Sequence, residues 1–531
     1  MSHGTLAVRR AIALAVLLAP RAVAQDHHAG HAPEKLGTVH FPTSCAPAVA
    51  PQMDRAVALL NSFEFGGSIR AFERVLAADS TCAMAHWGIA LSRWTNPMSA
   101  TNRAPALLTQ GRRAAEEAAR HAARATERER GYVDAVAALY RDYESVDQQT
   151  RIANYERAMA DLVARQPADT EAKIFHAIAV VAAASPADKS YANQKRAGAV
   201  LESLWVKQPD HPGLAHYIIH TYDLPALAPA AAAAARRYAD IAPVVAHAQH
   251  MPSHTFTRLG MWDASTRANQ RSAEAALRDS SIAEVLHASD YMTYANLQMR
   301  RQAAARAIVE SLPGLAARFD PTVIRGAAPG SAGIFALAAI PARYALERGA
   351  WEEAVVLKPA STAYPYAEAM THFARALGAA RLKRVSQARE SIDSLDAIVQ
   401  RLRDRNEGYW AEQVDIQRLG ALGWLALAEG RRTDAMMRMT EAATREDATE
   451  KSAVSPGPLA PARELLGDML VELGRPADAL VEYRRTLAKE PGRYRALDGA
   501  RRAASAVGDA ADAAKYAREI ARLTGAPPAS R

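Results

Sequence analysis

The stretch LLGDMLVELGRPADALVEYRRTLAKEP, residues 465–491, decides the fold of this 531-residue chain. Its key residues are, in order, Gly467, Gly474, Ala479, Tyr483 and Pro491. Gly467 and Ala479 are small enough for two helices to cross closely, and Gly474 allows the chain to turn between them. Tyr483 packs between the two helices, and Pro491 ends the pair. The stretch therefore predicts two antiparallel helices joined by a tight turn.

The same pattern recurs along the chain at a period of about 34 residues. Gly508 follows Gly474, and Ala513 follows Ala479, each at this spacing. Weaker copies lie upstream, at Gly430 with Ala435, Gly349 with Trp351 and Ala354, Gly260 with Trp262 and Ser265, and Phe65 with Phe72. The pattern resembles the tetratricopeptide repeat over most of residues 52–520. The resemblance implies an all-α solenoid of stacked antiparallel helix pairs, in two halves.

The composition of the whole chain favours the same fold class. Hydrophobic residues make up 49% of the chain and aromatic residues only 6%, and the abundance of Ala, Leu, Arg and Glu favours helix over strand. Basic residues number 65 against 57 acidic ones, for a net charge of +8. Because the two signs alternate along the predicted helices, as on a solvated surface, we expect no nucleic-acid partner.

The N-terminus has the pattern of a secretory signal peptide at residues 1–24. Arg9 and Arg10 precede an apolar stretch at 11–18, and Ala-Val-Ala at 22–24 is typical of a cleavage site. We therefore expect cleavage near Ala24 and export to the periplasm or the extracellular space. No apolar stretch is long enough for a transmembrane helix.

Breaks in the period divide the rest of the chain. Proline and glycine concentrate in two segments that we expect to be joints. The predicted divisions are a flexible histidine-containing arm at 25–50, an N-terminal repeat half at 51–319, a joint at 320–333, a second repeat half at 334–451, a joint at 452–461 and C-terminal repeats at 462–531.

The chain has two cysteines, Cys45 and Cys82. In an exported chain an even pair predicts a disulfide, although two separately buried thiols would fit as well. Several stretches also resemble a group of exported bacterial tetratricopeptide proteins, namely residues 41–45, 82–88, 211–220 and 250–254. This resemblance implies the fold and export, and it implies no catalytic residue.

Histidines concentrate in one part of the chain, since seven of the 16 lie within residues 211–287. His216 and His220 are four apart and share one helix face, as do His250 and His254. The second pair follows the first at the spacing of the repeat. The four histidines therefore occupy equivalent positions of adjacent repeats, and repeat stacking predicts that they converge.

Three interpretations of this cluster remain open. The first is a zinc or copper site, whose candidate ligands are His216, His220, His250, His254 and Asp290, with His247 and His287 close enough to complete or support it. The second is a polar groove for a peptide or a small anionic ligand, whose candidate residues are Tyr217, His247, Arg258, His287 and Tyr294. The third is a structural role, in which the imidazoles bond backbone carbonyls. Pro252 counts against a site on one regular helix, because proline breaks the helical hydrogen bond.

Motifs of the common catalytic classes are missing from the sequence. A zincin helix needs glutamate directly after its first histidine, whereas Tyr217 follows His216 and Ala248 follows His247. We therefore assign no catalytic residue and favour a non-enzymatic role. The expected function is an exported scaffold that binds a protein, a peptide or a small ligand in its concave groove. The alternative is a metal-binding protein or metalloenzyme that uses the histidine cluster.

Overall fold

The computed structural model describes residues 34–525, and within this range the regular structure is helical, with no β-strand. The all-α prediction is confirmed. Apart from three short 3-10 turns, the helices are α1 Ala50–Asn61, α2 Phe65–Ala78, α3 Ala83–Trp94, α4 Pro105–His121, α5 Glu127–Ala138, α6 Gln148–Arg165, α7 Thr170–Ala183, α8 Ala192–Trp205, α9 Pro212–Thr221, α10 Ala232–Ile241, α11 Ala246–His250, α12 Pro252–Arg258, α13 Trp262–Arg278, α14 Ile282–Gln298, α15 Gln302–Ala316, α16 Gly330–Arg348, α17 Trp351–Val355, α18 Pro365–Arg381, α19 Val385–Asp404, α20 Gly408–Ala428, α21 Arg432–Ala448, α22 Ala462–Glu472, α23 Pro476–Lys489, α24 Tyr494–Ala506 and α25 Ala510–Thr524.

The predicted turn glycines lie between the helices of successive pairs. All have a positive φ between 64° and 81°, the left-handed region that only glycine enters without strain: Gly260, Gly349, Gly430, Gly474 and Gly508. Helices that follow one another in the chain pack side by side. The structure is therefore a stack of helix pairs, as the period of the sequence pattern predicts.

Tyr483 shows how neighbouring pairs are held together. Its ring is fully buried, and its hydroxyl donates to Asp468 Oδ1 at 2.6 Å. A Cβ built at Gly499 of α24 would lie only 2.4 Å from this ring, and one at Gly467 of α22 only 2.9 Å. The small residues of the repeat pattern are thus required where two helices close on one aromatic ring.

Residues 34–49 pack against the N-terminal helices. Leu36 and Phe41 are buried, and Phe41 stacks on Trp87 with ring centroids 5.4 Å apart. A disulfide joins Cys45 to Cys82, which is the residue before α3. The predicted flexible arm is therefore wrong for residues 34–49, because their apolar side chains and the disulfide hold them in the core. The predicted signal peptide, and the arm up to residue 33, lie outside the described residues.

Two irregular segments interrupt the stack near the predicted joints. We name residues 317–329, between α15 and α16, the first inner loop, and residues 449–461, between α21 and α22, the second inner loop. Neither segment divides the chain into two domains, because residues 35–525 belong to one compact unit. The first loop is tied to α14, where Glu284 accepts hydrogen bonds from the backbone N–H groups of Ala327 and Ala328.

The apolar core has two large parts, one within α1–α11 and one within α16–α25. Between them, α9, α11, α12 and α14 carry buried polar side chains. Within residues 34–525, no helix is both long enough and apolar enough to cross a membrane.

Candidate metal centre

Six buried histidines meet between the two parts of the core. We call His216, His220 and His247 the first triad, and His250, His254 and His287 the second triad; together they are the six-histidine centre. Their side chains are at most 7% exposed. Within each triad, one ring nitrogen of every histidine lies within 4.8 Å of the others. Three nitrogen ligands at this spacing can hold one metal ion after small adjustments.

Three short helices, α9, α11 and α12, and the longer α14 supply these side chains, and the local sequence explains their placement. Helix α9 presents His216 and His220 one turn apart on one face. Pro252 begins α12 and separates it from α11, yet Met251 between them keeps helical dihedrals, φ −53° and ψ −36°. The proline therefore divides the helix without redirecting it, and His254 stays on the face that carries His250.

Hydrogen bonds orient the rings of the first triad. His216 Nδ1 donates to the backbone carbonyl of Asn61 at 2.7 Å, which leaves its Nε2 with a free lone pair. This Nε2 lies 3.0 Å from His247 Nε2. His220 Nε2 and His247 Nδ1 are buried and have no hydrogen-bond partner in the structure. The first triad thus has more buried ring nitrogens than there are hydrogen-bond partners for them among the described residues.

The second triad contains an unfavourable contact between two nitrogens. His250 Nδ1 donates to Asn269 Oδ1 at 2.6 Å, and the amide is oriented because its Nδ2 donates to Ser265. His254 Nδ1 donates to Asp223 Oδ2 at 2.8 Å. Both neutral rings must therefore direct an unprotonated Nε2 inward, and these two atoms lie 3.0 Å apart. Two lone pairs at this distance repel unless a cation bonds both.

Burial keeps all six imidazoles neutral. It lowers the pKa of His216 and of His287 to about 3, and it lowers the pKa of the other four as well. A neutral imidazole is the form that ligates metals. The six-histidine centre is therefore in its ligating form at neutral pH.

Asp223 is the one carboxylate in contact with the centre among the described residues. Its burial opposes ionisation, but Lys451 and Arg258 outweigh that effect and hold the pKa of Asp223 well below its usual range. Lys451 Nζ and Arg258 Nε each lie 2.9 Å from a carboxylate oxygen. Asp223 thus serves as an ionised acceptor for His254, the arrangement that raises ligand basicity in many metal sites.

Asp290, a predicted ligand, does not join the centre. Both of its oxygens face the Arg343 guanidinium, at 3.0 and 3.5 Å, and both side chains are completely buried. The predicted ligand role of Asp290 is therefore wrong, because its carboxylate forms an ion pair with Arg343, which lies 53 residues away in the sequence.

The residues of the predicted groove are all buried. Tyr217, Arg258 and Tyr294 are at most 3% exposed, and His247 and His287 belong to the triads. Tyr294 lies apart from the centre, where its hydroxyl accepts a hydrogen bond from Arg493 at 3.2 Å. Within the described part of the chain these side chains therefore form no solvent-exposed groove.

Three supporting residues escaped the sequence analysis, namely Asp223, Asn269 and Lys451. Asn269 and Lys451 lie in a helix and a loop that carry no histidine, so only the tertiary structure identifies them. Asp223 could have been identified from the sequence, because it follows His220 by three residues, which is close to one helical turn.

A small cavity lies against both triads. Its volume is ≈ 40 Å³, and its walls include His220, His247, His254 and His287. Half of the remaining wall comes from the two inner loops, at residues 327–329 and 452–454, and the other half from residues 96–101, the start of α16 and Tyr366. A larger pocket of ≈ 270 Å³ also reaches His220 and Asp223.

A second cluster of possible ligands lies near the surface. His86, Glu117 and His121 are partly exposed on α3 and α4, and the two imidazoles stack with centroids 5.5 Å apart. Such surface pairs commonly bind metals weakly, so this cluster is a useful control for the buried centre.

Comparisons with known proteins add little to this description. No protein-family profile matches the sequence, and no curated protein is similar to it. Among solved structures, a monomeric mutant of IFIT1 with m7Gppp-AAAA is 11% identical, with 90% of this chain and 96% of that chain covered and a TM-score of 0.37. The human IFIT1 dimer with PPP-AAAA is 11% identical, covers 89% and 94%, and has a TM-score of 0.36. At TM-scores of this size, nothing about ligand or partner follows.

Proposed function

We propose that the protein binds transition-metal ions, copper or zinc, through its six-histidine centre. One observation carries the proposal: the contact of 3.0 Å between His250 Nε2 and His254 Nε2, in two rings whose Nδ1 atoms face the acceptors Asn269 Oδ1 and Asp223 Oδ2. Two nitrogens bonded to one zinc ion at 2.0–2.1 Å in tetrahedral geometry lie about 3.3–3.4 Å apart. A bound cation therefore requires the rings to move only a few tenths of an ångström.

The energetics of the buried ring nitrogens support the same conclusion. Unpartnered buried polar atoms each cost about 1–3 kcal/mol, and His220 and His247 each present one. A structural role would use the ring nitrogens in hydrogen bonds, as Nδ1 of His216 does with Asn61. His220 Nε2 and His247 Nδ1 have no such acceptor or donor among the described residues, and a metal ion would provide a bonding partner.

The donor set favours copper and zinc among the biological metals. It contains imidazoles only, with no thiolate and no carboxylate among the described residues, and imidazole suits Zn, Cu and Ni. Copper(II) binds such sites more tightly than zinc does, according to the usual affinity order of divalent ions. Export of the protein, and a protein or peptide partner elsewhere on the repeat surface, stay predictions.

Metal titration of the full chain tests the proposal. The protein is stripped with a chelator, loaded with Cu²⁺ or Zn²⁺, desalted and analysed for metal by mass spectrometry. We expect the wild type to retain metal and the double variant His250→Ala, His254→Ala to lose most of what the second triad holds. The matched control His86→Ala, His121→Ala should retain as much as the wild type. Equal retention by all three proteins, or none by the wild type, would refute the proposal.

A further inference from the structure

The two triads lie directly beside each other. The rings of His220 and His254, one from each triad, have centroids 6.0 Å apart, and those of His247 and His250 are 5.9 Å apart. These distances are close to those within a triad, such as 4.9 Å between His216 and His247. Ions held by the two triads would therefore be neighbours rather than separate sites.

The small cavity contacts both triads at once. His220 and His247 of the first triad and His254 and His287 of the second line the same space of ≈ 40 Å³. This volume admits a molecule of two or three heavy atoms, since one water needs about 10–15 Å³ by the same measure. A ligand inside it would reach the metal-facing side of both triads.

The charge of the surroundings determines what kind of ligand fits. Imidazole ligands bring no negative charge, and the adjacent carboxylate of Asp223 is already paired with Lys451 and Arg258. Two divalent ions would bring four positive charges into a buried space with no free counter-charge among the described residues. Buried charges are stable only when they are paired, so an anion must accompany the ions.

We propose that the six-histidine centre is dinuclear, with one metal ion in each triad and a small anion of two or three heavy atoms, such as azide, bound between them in the cavity. This inference rests on the proposed metal-binding function. It adds the number of ions, their coupling and the chemical class of the exogenous ligand. The inner loops would limit that ligand to small size, because residues 327–329 and 452–454 close the cavity.

Copper loading followed by electron paramagnetic resonance tests the inference on the full chain. The stripped wild type is titrated with Cu²⁺, and copper per chain and signal intensity per copper are measured at each step. We expect two bound coppers, and a loss of more than half of the intensity per copper as the second ion enters. Azide should then bind at one molecule per two coppers.

Three variants serve as comparisons. The variants His216→Ala, His247→Ala and His250→Ala, His254→Ala should each bind one copper with full intensity and lose the azide complex. The control His86→Ala, His121→Ala should behave as the wild type. If the triad variants do not fold, wild type loaded with a mixture of Zn²⁺ and Cu²⁺ replaces them, because zinc beside copper should restore the full signal per copper.

The outcomes separate the two proposals. Two coppers with undiminished intensity, one copper per chain, or two azides per chain would overturn the dinuclear centre and leave metal binding in place. Absence of any retained copper would overturn both.

Discussion

Replacing Asp290 by alanine should destabilise the protein strongly and leave its metal content unchanged. Asp290 and Arg343 are both completely buried, and the carboxylate is the only charged partner of this guanidinium among the hydrogen bonds of the described residues. Arg343 would keep only two backbone carbonyls, those of Pro458 at 3.1 Å and Gly457 at 3.2 Å. The variant therefore leaves a buried charge without a counter-charge.

The expected loss is about 3–5 kcal/mol, the usual cost of breaking a buried ion pair from one side. We expect a loss of about 3 kcal/mol, because the carbonyls of Pro458 and Gly457 still accept hydrogen bonds from the Arg343 guanidinium. Because the m-value of a chain of this size exceeds the roughly 1–3 kcal/mol per M of small proteins, the midpoint of urea unfolding would fall by less than about 1 M. The double variant Asp290→Leu, Arg343→Met removes both charges and should recover most of this loss.

The assay combines urea unfolding, followed by circular dichroism, with copper analysis of the same samples. His287 provides the matched comparison, because it precedes Asp290 by three residues on α14. His287→Ala should lower copper retention, whereas Asp290→Ala should not. A variant Asp290→Ala that loses copper while its urea midpoint stays unchanged would identify Asp290 as a ligand and refute the reasoning.

Three further predictions concern pH, support of the ligands and the disulfide. Burial lowers the pKa of His216 and His287 from 6.5 to about 3, so their contribution to stability is complete above pH 6.5 and is lost as the pH falls from 6.5 towards 3. At pH 5 each should cost the metal-free protein about 2 kcal/mol, and urea midpoints that agree at pH 7 and pH 5 would contradict this. Asp223→Asn should weaken copper binding by about 10–100-fold, because the amide is a poorer acceptor for the His254 N–H; an unchanged affinity in a chelator competition would argue against the supporting role. Removal of the disulfide by Cys45→Ser, Cys82→Ser should cost about 4 kcal/mol for the loop of 37 residues, and a thermal midpoint equal to that of the wild type would exclude this contribution.

Much of the fold was predictable because its signals are local. Gly474 and Gly508 turn the chain where a positive φ is needed, and this requirement is visible in the residue type alone. The two proline- and glycine-rich segments were predicted as irregular, and the structure has loops at 317–329 and 449–461. Their role was not predictable, because a loop's composition does not tell which surface it covers.

The candidate site was predictable only in part. His216, His220, His250 and His254 were chosen by their spacing, and the structure brings all four together. His247 and His287 were expected in the groove, close enough to complete or support a metal site, and the structure places them in the triads. The division into two triads depends on α14 packing beside α11, and sequence spacing contains no information on that contact.

The sequence by itself determined the helix pairs, their turns and the helix faces that carry the histidines, because these follow from residue type, from the turn of the α-helix and from the period of the repeat. Only the tertiary structure decided which polar groups are paired. Arg343 neutralises Asp290 across 53 residues, and Lys451 reaches Asp223 across 228. The physical reason is that burial and pairing depend on distances between segments far apart in the chain. A histidine nitrogen can bind a metal ion only where the folded chain leaves it without a proton and without a hydrogen-bond partner.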